Sequence, residues 1–200
     1  LWTDDVQPYR TRKVRILNGA HTMTALAAFL CGKNTVREFM DDPSIVSYMK
    51  RGIFEEIVPT LDLPEEENMQ FARDVLERFR NPFIKHLLLS ISVNSVSKWR
   101  IRLLPSLAEY VARQKKLPTV LTFSLAALIA FYRGTEVKDD VMQGLRDGKS
   151  YSIQDEKQVL DHFAEAWREF HQTPDVAGIC GKVLRSEALW GRNLDEVGGL

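Results

Sequence analysis

The segment TVLTFSLAALIAFY, residues 119–132, carries no charged side chain, and Pro118 before it and Gly134 after it mark its ends. It is shorter than the roughly 20 residues that cross a bilayer as a helix. It therefore reads as a helix buried on every side, a rod around which the remaining helices pack. The flanking sequence supplies those helices. Apolar residues recur at helical intervals from about Pro8 to Leu30, and Gly32 is placed to end that helix. PSIVSYMKRGIFEEIVPTL, residues 43–61, enters a second helix through Pro43 and leaves it near Pro59, because proline suits a first turn and blocks an interior. PEEENMQFARDVLERFR, residues 64–80, has acidic residues in its first turn and Arg78 and Arg80 in its last, the arrangement that complements a helix dipole.

Other stretches are less regular. NPFIKHLLLSIS, residues 81–92, is expected to be helical and to run into an irregular turn at Asn94–Ser97. PSLAEYVARQKK, residues 105–116, is a helix that stops at Leu117-Pro118. GTEVKDDVMQGLRDGKSYS, residues 134–152, reads as a charged loop, and Ser152 with Asp155 has the pattern of a capping box ahead of KQVLDHFAEAWREF, residues 157–170. The tail offers one or two short helices. The expectation is an all-α fold, a single helical domain over residues 1–200 with about eight to ten helices.

Composition narrows the function. Two hundred residues, 44% of them hydrophobic, can bury a core without covalent staples. Lys plus Arg equals Asp plus Glu at 27 each, a balance that argues against a nucleic-acid partner or a membrane surface. Cys31 and Cys180 form no CxxC pair and stand in no zinc-like spacing, so neither a disulfide framework nor a metal site is implied and a reducing, cytoplasmic location is expected. The opening, LWTDDVQPYR, begins without Met, which suggests a piece of a longer protein.

The polar residues of the first helix are the candidates for chemistry. Lys13, Asn18 and His21 interrupt an otherwise apolar pattern, KVRILNGAH. At about 100° per residue they stand at about 0°, 140° and 80° around a helix axis, all on one side. Lysine can act as a general acid or base, with Arg12 and Arg15 as neighbouring cations; an asparagine amide can hold a carbonyl oxygen, and a histidine can bond an adjacent hydroxyl. Gly19 would leave the helix surface open to a ligand. A structural role fits the pattern as well and is favoured by spacing alone: Lys13 would reach solvent, and Asn18 and His21 would bond loop backbone.

Five segments together, KVRILNGAH, EEIVPTLDLP, RFRNPFIKH, SISVNSVSKW and FSLAALIAFYRG, make the chain from about Val6 onward similar to the C-terminal domain of the polyol-specific long-chain dehydrogenases, the mannitol dehydrogenase family. The resemblance implies a two-domain NAD-dependent oxidoreductase whose N-terminal Rossmann domain binds the cofactor, and no G-x-G-x-x-G occurs here to supply that domain. It implies that Lys13 is catalytic, Asn18 orients the carbonyl and His21 contacts substrate, with Lys98 touching the substrate's distal part. Members that act on mannitol have an arginine and a DG pair where this chain has Ser90 and Asn94-Ser95. That departure points to a keto-hexuronate, tagaturonate being reduced to altronate, whose carboxylate Lys98 would hold with His86 or Asn94 assisting. Fructuronate or mannitol are the alternative substrates, and without the resemblance a non-catalytic helical interaction module is the alternative function. No cofactor-binding residue is identified in the chain itself.

Overall fold

The computed structural model describes residues 3–81, 83 and 86–198. The first helical stretch is not uniform: α1 (Gln7–Arg12) passes through a π-helical turn (Lys13–Asn18) into α2 (Gly19–Leu30). Pro8 lies in the first turn, and Gly32, at φ 88°, occupies the left-handed position that ends α2. Next come α3 (Val36–Met40), capped by the Thr35 hydroxyl, and α4 (Pro43–Arg51), capped by the Asp42 carboxylate. α4 continues through a second π turn (Gly52–Ile57) and a 3₁₀ turn (Val58–Thr60) before Leu61 becomes extended. α5 is Glu65–Phe79, as its charge pattern predicts.

The stretch that follows differs from expectation. Helix α6 covers only Leu88–Ser92, while Asn81, Phe83 and His86 are non-helical; Pro82, Ile84 and Lys85, part of the expected helix, lie outside the described residues. The expected turn at Asn94–Ser97 shrinks to Val93-Asn94, and α7 (Ser95–Arg102) starts at once. Asn94 makes that corner by adopting φ 54°, ψ 45°, a left-handed conformation that asparagine tolerates. α8 (Leu104–Gln114) leads to α9 (Thr119–Phe131), which is the expected rod: Leu121, Leu125, Leu128 and Phe131 are buried, and α2, α4 and α7 pack around it.

Two expectations for residues 134–156 are corrected. The supposed loop is a three-stranded antiparallel meander, β1 (Val137–Lys138), β2 (Val141–Arg146) and β3 (Lys149–Ile153). Asp139-Asp140 and Asp147-Gly148, all at positive φ, form its two-residue turns, and Met142, Tyr151 and Ile153 turn one face to the core. Ser152 therefore lies in a strand and caps nothing, and α10 (Lys157–Gln172) starts after Glu156 without a side-chain cap. Asp155 is used elsewhere. Its carboxylate accepts the backbone N–H of Val96 at 3.3 Å and the Tyr132 hydroxyl, tying the start of α7 to the end of α9.

The chain closes with α11 (Val176–Leu184), α12 (Glu187–Trp190) and a 3₁₀ turn (Leu194–Glu196). Among the described residues there are twelve α-helical segments, more than the expected eight to ten, because a π turn divides the first helix and α3, α6 and α12 are too short to leave a periodic signature. The fold remains helical, with a small sheet covering one end of α9. None of the described helices is long and apolar enough to cross a membrane.

Candidate active site

The π turn changes the geometry of the front residues. Within it the Gly19 N–H reaches the Val14 carbonyl, so one residue more than an α-helical turn is accommodated. An inserted residue sets everything after it back by about 100°, which moves Asn18 to about 40° and His21 to about −20° relative to Lys13. The three are thereby drawn within about 60° of one another, closer than an unbroken helix allows. Lys13 is exposed, whereas Asn18 and His21 are half-buried one turn apart.

Two of these side chains lack partners. The Asn18 Oδ1 and His21 Nε2 atoms are buried and make no hydrogen bond among the described residues. That is the costly state for a polar atom, and the expected backbone partners are not there. His21 stacks on Phe79, with ring centroids 4.0 Å apart and planes 12° apart, and meets His86 edge-on at 6.2 Å. Leu17, Val36, Arg78 and Asn81 complete a cleft of about 170 Å³ around the two histidines. His86 is exposed at its edge. Burial, then the charge of His86 and that of Arg102, pushes the His21 imidazole down to about 4. His21 is therefore neutral near pH 7, with one ring nitrogen able to donate and the other able to accept.

This shift has a consequence for stability. In the unfolded chain the imidazole protonates below about pH 6.5, and in the folded chain only below about 4, so the unfolded state binds more protons across that window. Stability is fully present above 6.5 and falls as pH drops toward 4, by up to about 3 kcal/mol. In His21→Phe, which keeps the stack on Phe79, the urea midpoint should lose that part of its pH dependence.

The other predicted residues stand on α7. Lys98 is half-buried and its ammonium donates to the Ile91 carbonyl at 3.0 Å; burial and the nearby Arg102 charge lower its pKa while Asp155 raises it. Asn94 is exposed one turn earlier, with its backbone N–H bonded to the Gln154 carbonyl at 2.9 Å. The described hydrogen bonds and ring contacts join His21 to His86 but link neither to Lys13, Lys98 or Asn94.

Three expectations about neighbours are corrected. Gly19 is buried, and a Cβ there would come within 3.1 Å of Leu103 Cδ2, so this glycine admits the α7–α8 corner rather than a ligand. Arg12 turns to Glu67 at 3.6 Å and lies over the Phe71 ring at 4.8 Å. Arg15 donates to the Thr60 carbonyl at 3.3 Å. Arg102, which sequence reasoning overlooked, does reach the site: its guanidinium donates to Thr22 Oγ1 at 3.1 Å, and that hydroxyl donates to the Asn18 carbonyl at 3.0 Å. Its position one turn after Lys98 was the only local signal.

Comparison with known proteins places this arrangement in a family. The model of the mannitol dehydrogenase C-terminal domain matches residues 5–186. An altronate oxidoreductase of Yersinia enterocolitica is 48% identical over 195 residues, 97% of this chain and 38% of that protein. One from Halalkalibacterium halodurans is 42% identical over 190 residues, 94% of this chain and 37% of that protein. The chain thus spans about two fifths of the length of the curated relatives it matches. The solved mannitol 2-dehydrogenase of Pseudomonas fluorescens, a ternary complex with NAD and D-mannitol, superposes with a TM-score of 0.76 at 25% identity, covering 94% of this chain and 35% of that one. A substrate-free D-sorbitol dehydrogenase shares the fold, with a TM-score of 0.68 at 19% identity over 92% of this chain and 39% of that one. A match over that much of the helical fold is decisive: the chain belongs to the mannitol dehydrogenase C-terminal domain family.

Proposed function

We propose that residues 1–200 form the substrate-binding and proton-transferring domain of an NAD-dependent tagaturonate reductase, which interconverts tagaturonate and altronate. One observation carries this reading: two unpartnered polar atoms, on Asn18 and His21, stand one turn apart in a chain 48% identical to an altronate oxidoreductase. A bound nicotinamide supplies the hydride in such a reaction. Among the described residues no glycine-rich strand-to-helix turn could hold its phosphates, since the one sheet is an antiparallel meander. In this reading a Rossmann domain elsewhere in the protein binds it. The free thiols of Cys31 and Cys180 suit a cytoplasmic enzyme.

In the proposed mechanism, Asn18 and His21 fix the ketone oxygen and its neighbouring hydroxyl, and neutral His21 serves as a hydrogen-bond partner rather than as the acid. Lys13 gives a proton to that oxygen as the alkoxide forms and takes it back in the reverse direction. In this reading the distal carboxylate is held by Lys98 on α7, with His86 or Asn94 assisting. Lys98→Met should then raise KM for tagaturonate about tenfold, as expected for one half-exposed charge. An equal rise for the neutral ketose fructose would remove Lys98 from that role.

The test is an assay of the whole protein with NADH and tagaturonate, fructuronate or fructose. A kcat/KM for tagaturonate about 100-fold above that for fructose is expected, because a site built for a charged group discriminates strongly against its absence. Faster turnover of fructose would overturn the assignment, and faster turnover of fructuronate would move it within the same reaction class.

A further inference from the structure

Arg102 has no role in the scheme above, yet its surroundings are unusual for an arginine. It is half-buried at the end of α7, and its only side-chain hydrogen bond among the described residues is the one to Thr22 Oγ1. No described carboxylate pairs with it, whereas the well-placed guanidinium of Arg113 engages both Glu109 and Asp62. Thr22 is the residue after His21, and its hydroxyl continues to the Asn18 main-chain carbonyl, so the guanidinium is moored to the helical turn that carries both unpartnered side chains. The rest of the fork has no acceptor among the described residues. Arginine presents its N–H groups in a planar fork that fits a carboxylate with two parallel bonds.

Lys98, one turn earlier on the same helix, is less free. Its ammonium already donates to the Ile91 carbonyl at the end of α6, and Asp155 lies close enough to influence it. Asp155 in turn accepts from Val96 and Tyr132, which directs that carboxylate toward the α7–α9 junction. Arg102, close enough for its charge to act on His21, thus keeps unused donors and has no described carboxylate paired to it.

We infer that Arg102 is the principal partner of the substrate's carboxylate and sets the preference for a sugar acid over a neutral sugar. This rests on the tagaturonate reductase reading, and the assay separates the two. The whole protein is assayed with NADH against tagaturonate and against its methyl ester, which has the same carbon skeleton without the charge. Turnover of tagaturonate by the unaltered protein tests the reading itself. Given that turnover, KM for the ester is expected to be about 50-fold above KM for the acid, as befits a partly buried charge pair.

Arg102→Met should raise KM for the acid about 50-fold and leave KM for the ester and kcat within about threefold, so that the two substrates converge. Arg102→Lys, which keeps charge but loses the fork, should recover part of the acid–ester ratio, and it carries the test if the methionine variant does not fold. Equal KM rises for acid and ester in either Arg102 variant would make Arg102 structural and overturn the inference. So would an unaltered protein that treats acid and ester alike.

Discussion

Lys13→Ala in the whole protein is expected to lower kcat about 1,000-fold, within the range that a positioned general acid contributes, with little change in KM or Tm. The asymmetry follows from where the residue sits. Lys13 is exposed on the π turn, and no described hydrogen bond or ion pair uses its ammonium, so its removal leaves no buried group without a partner. Alanine is also the best helix former at an exposed position. If the missing function is proton transfer, a small amine such as methylamine added to the assay should restore part of the rate in Lys13→Ala. Lys13→Arg should stay slow, because a guanidinium does not release its proton near pH 7. A Lys13→Ala protein that turns over within tenfold of the unaltered one would take Lys13 out of the mechanism.

The second large effect concerns the rod that supports the site. α9 starts after Pro118 with no side-chain cap of its own, so its first N–H groups need partners from elsewhere. The buried Glu56, from the second π turn, supplies them: its two carboxylate oxygens accept the N–H groups of Val120 and Leu121, each at 2.8 Å. A carboxylate also suits the positive end of a helix dipole. Glu56→Leu leaves both donors buried and unpaired, at a cost of about 3–5 kcal/mol. Glu56→Gln should be milder, about 2 kcal/mol, because the amide oxygen still accepts one N–H while the amide nitrogen leaves the other unpaired. Burial raises the Glu56 pKa more than its two hydrogen bonds lower it, so the charged form is the disfavoured one and the amide loses less than the cap geometry suggests. By linkage, protonation of Glu56 adds stability that is complete below about pH 4.5 and declines as pH rises through the higher folded value, whereas the two cap hydrogen bonds are what the variants remove at pH 7. Urea midpoints of the two variants at pH 7 provide the check, and a leucine variant as stable as the glutamine one would refute the capping role.

Much of the helical framework was legible locally. The uncharged run that became α9, the Pro43 entry of α4, the dipole-matched charges of α5 and the Gly32 stop are each encoded within a few residues of where they act. The meander was legible in principle, since Asp147-Gly148 is a hairpin turn pair, but short strands with charged outer faces hid the alternation. The capping-box reading at Ser152 failed because Asp155 has a stronger claim elsewhere: Val96 and Tyr132 reach it across the fold. Likewise the cap of α9 lies some 60 residues from the helix it serves.

The candidate site divides along the same line. Lys13, Asn18 and His21 could be picked out because polar residues interrupt an apolar pattern, and that pattern is a property of the chain alone. The π turn that gathers them, the Phe79 ring that stacks on His21 and the Arg102 guanidinium beside Thr22 belong to the packed molecule. Periodicity and helix stops act over one or two turns, so they are written into neighbouring residues. Which buried polar atom finds a partner, and which is left without one, depends on surfaces brought together from distant parts of the chain, and only the packed structure decides that.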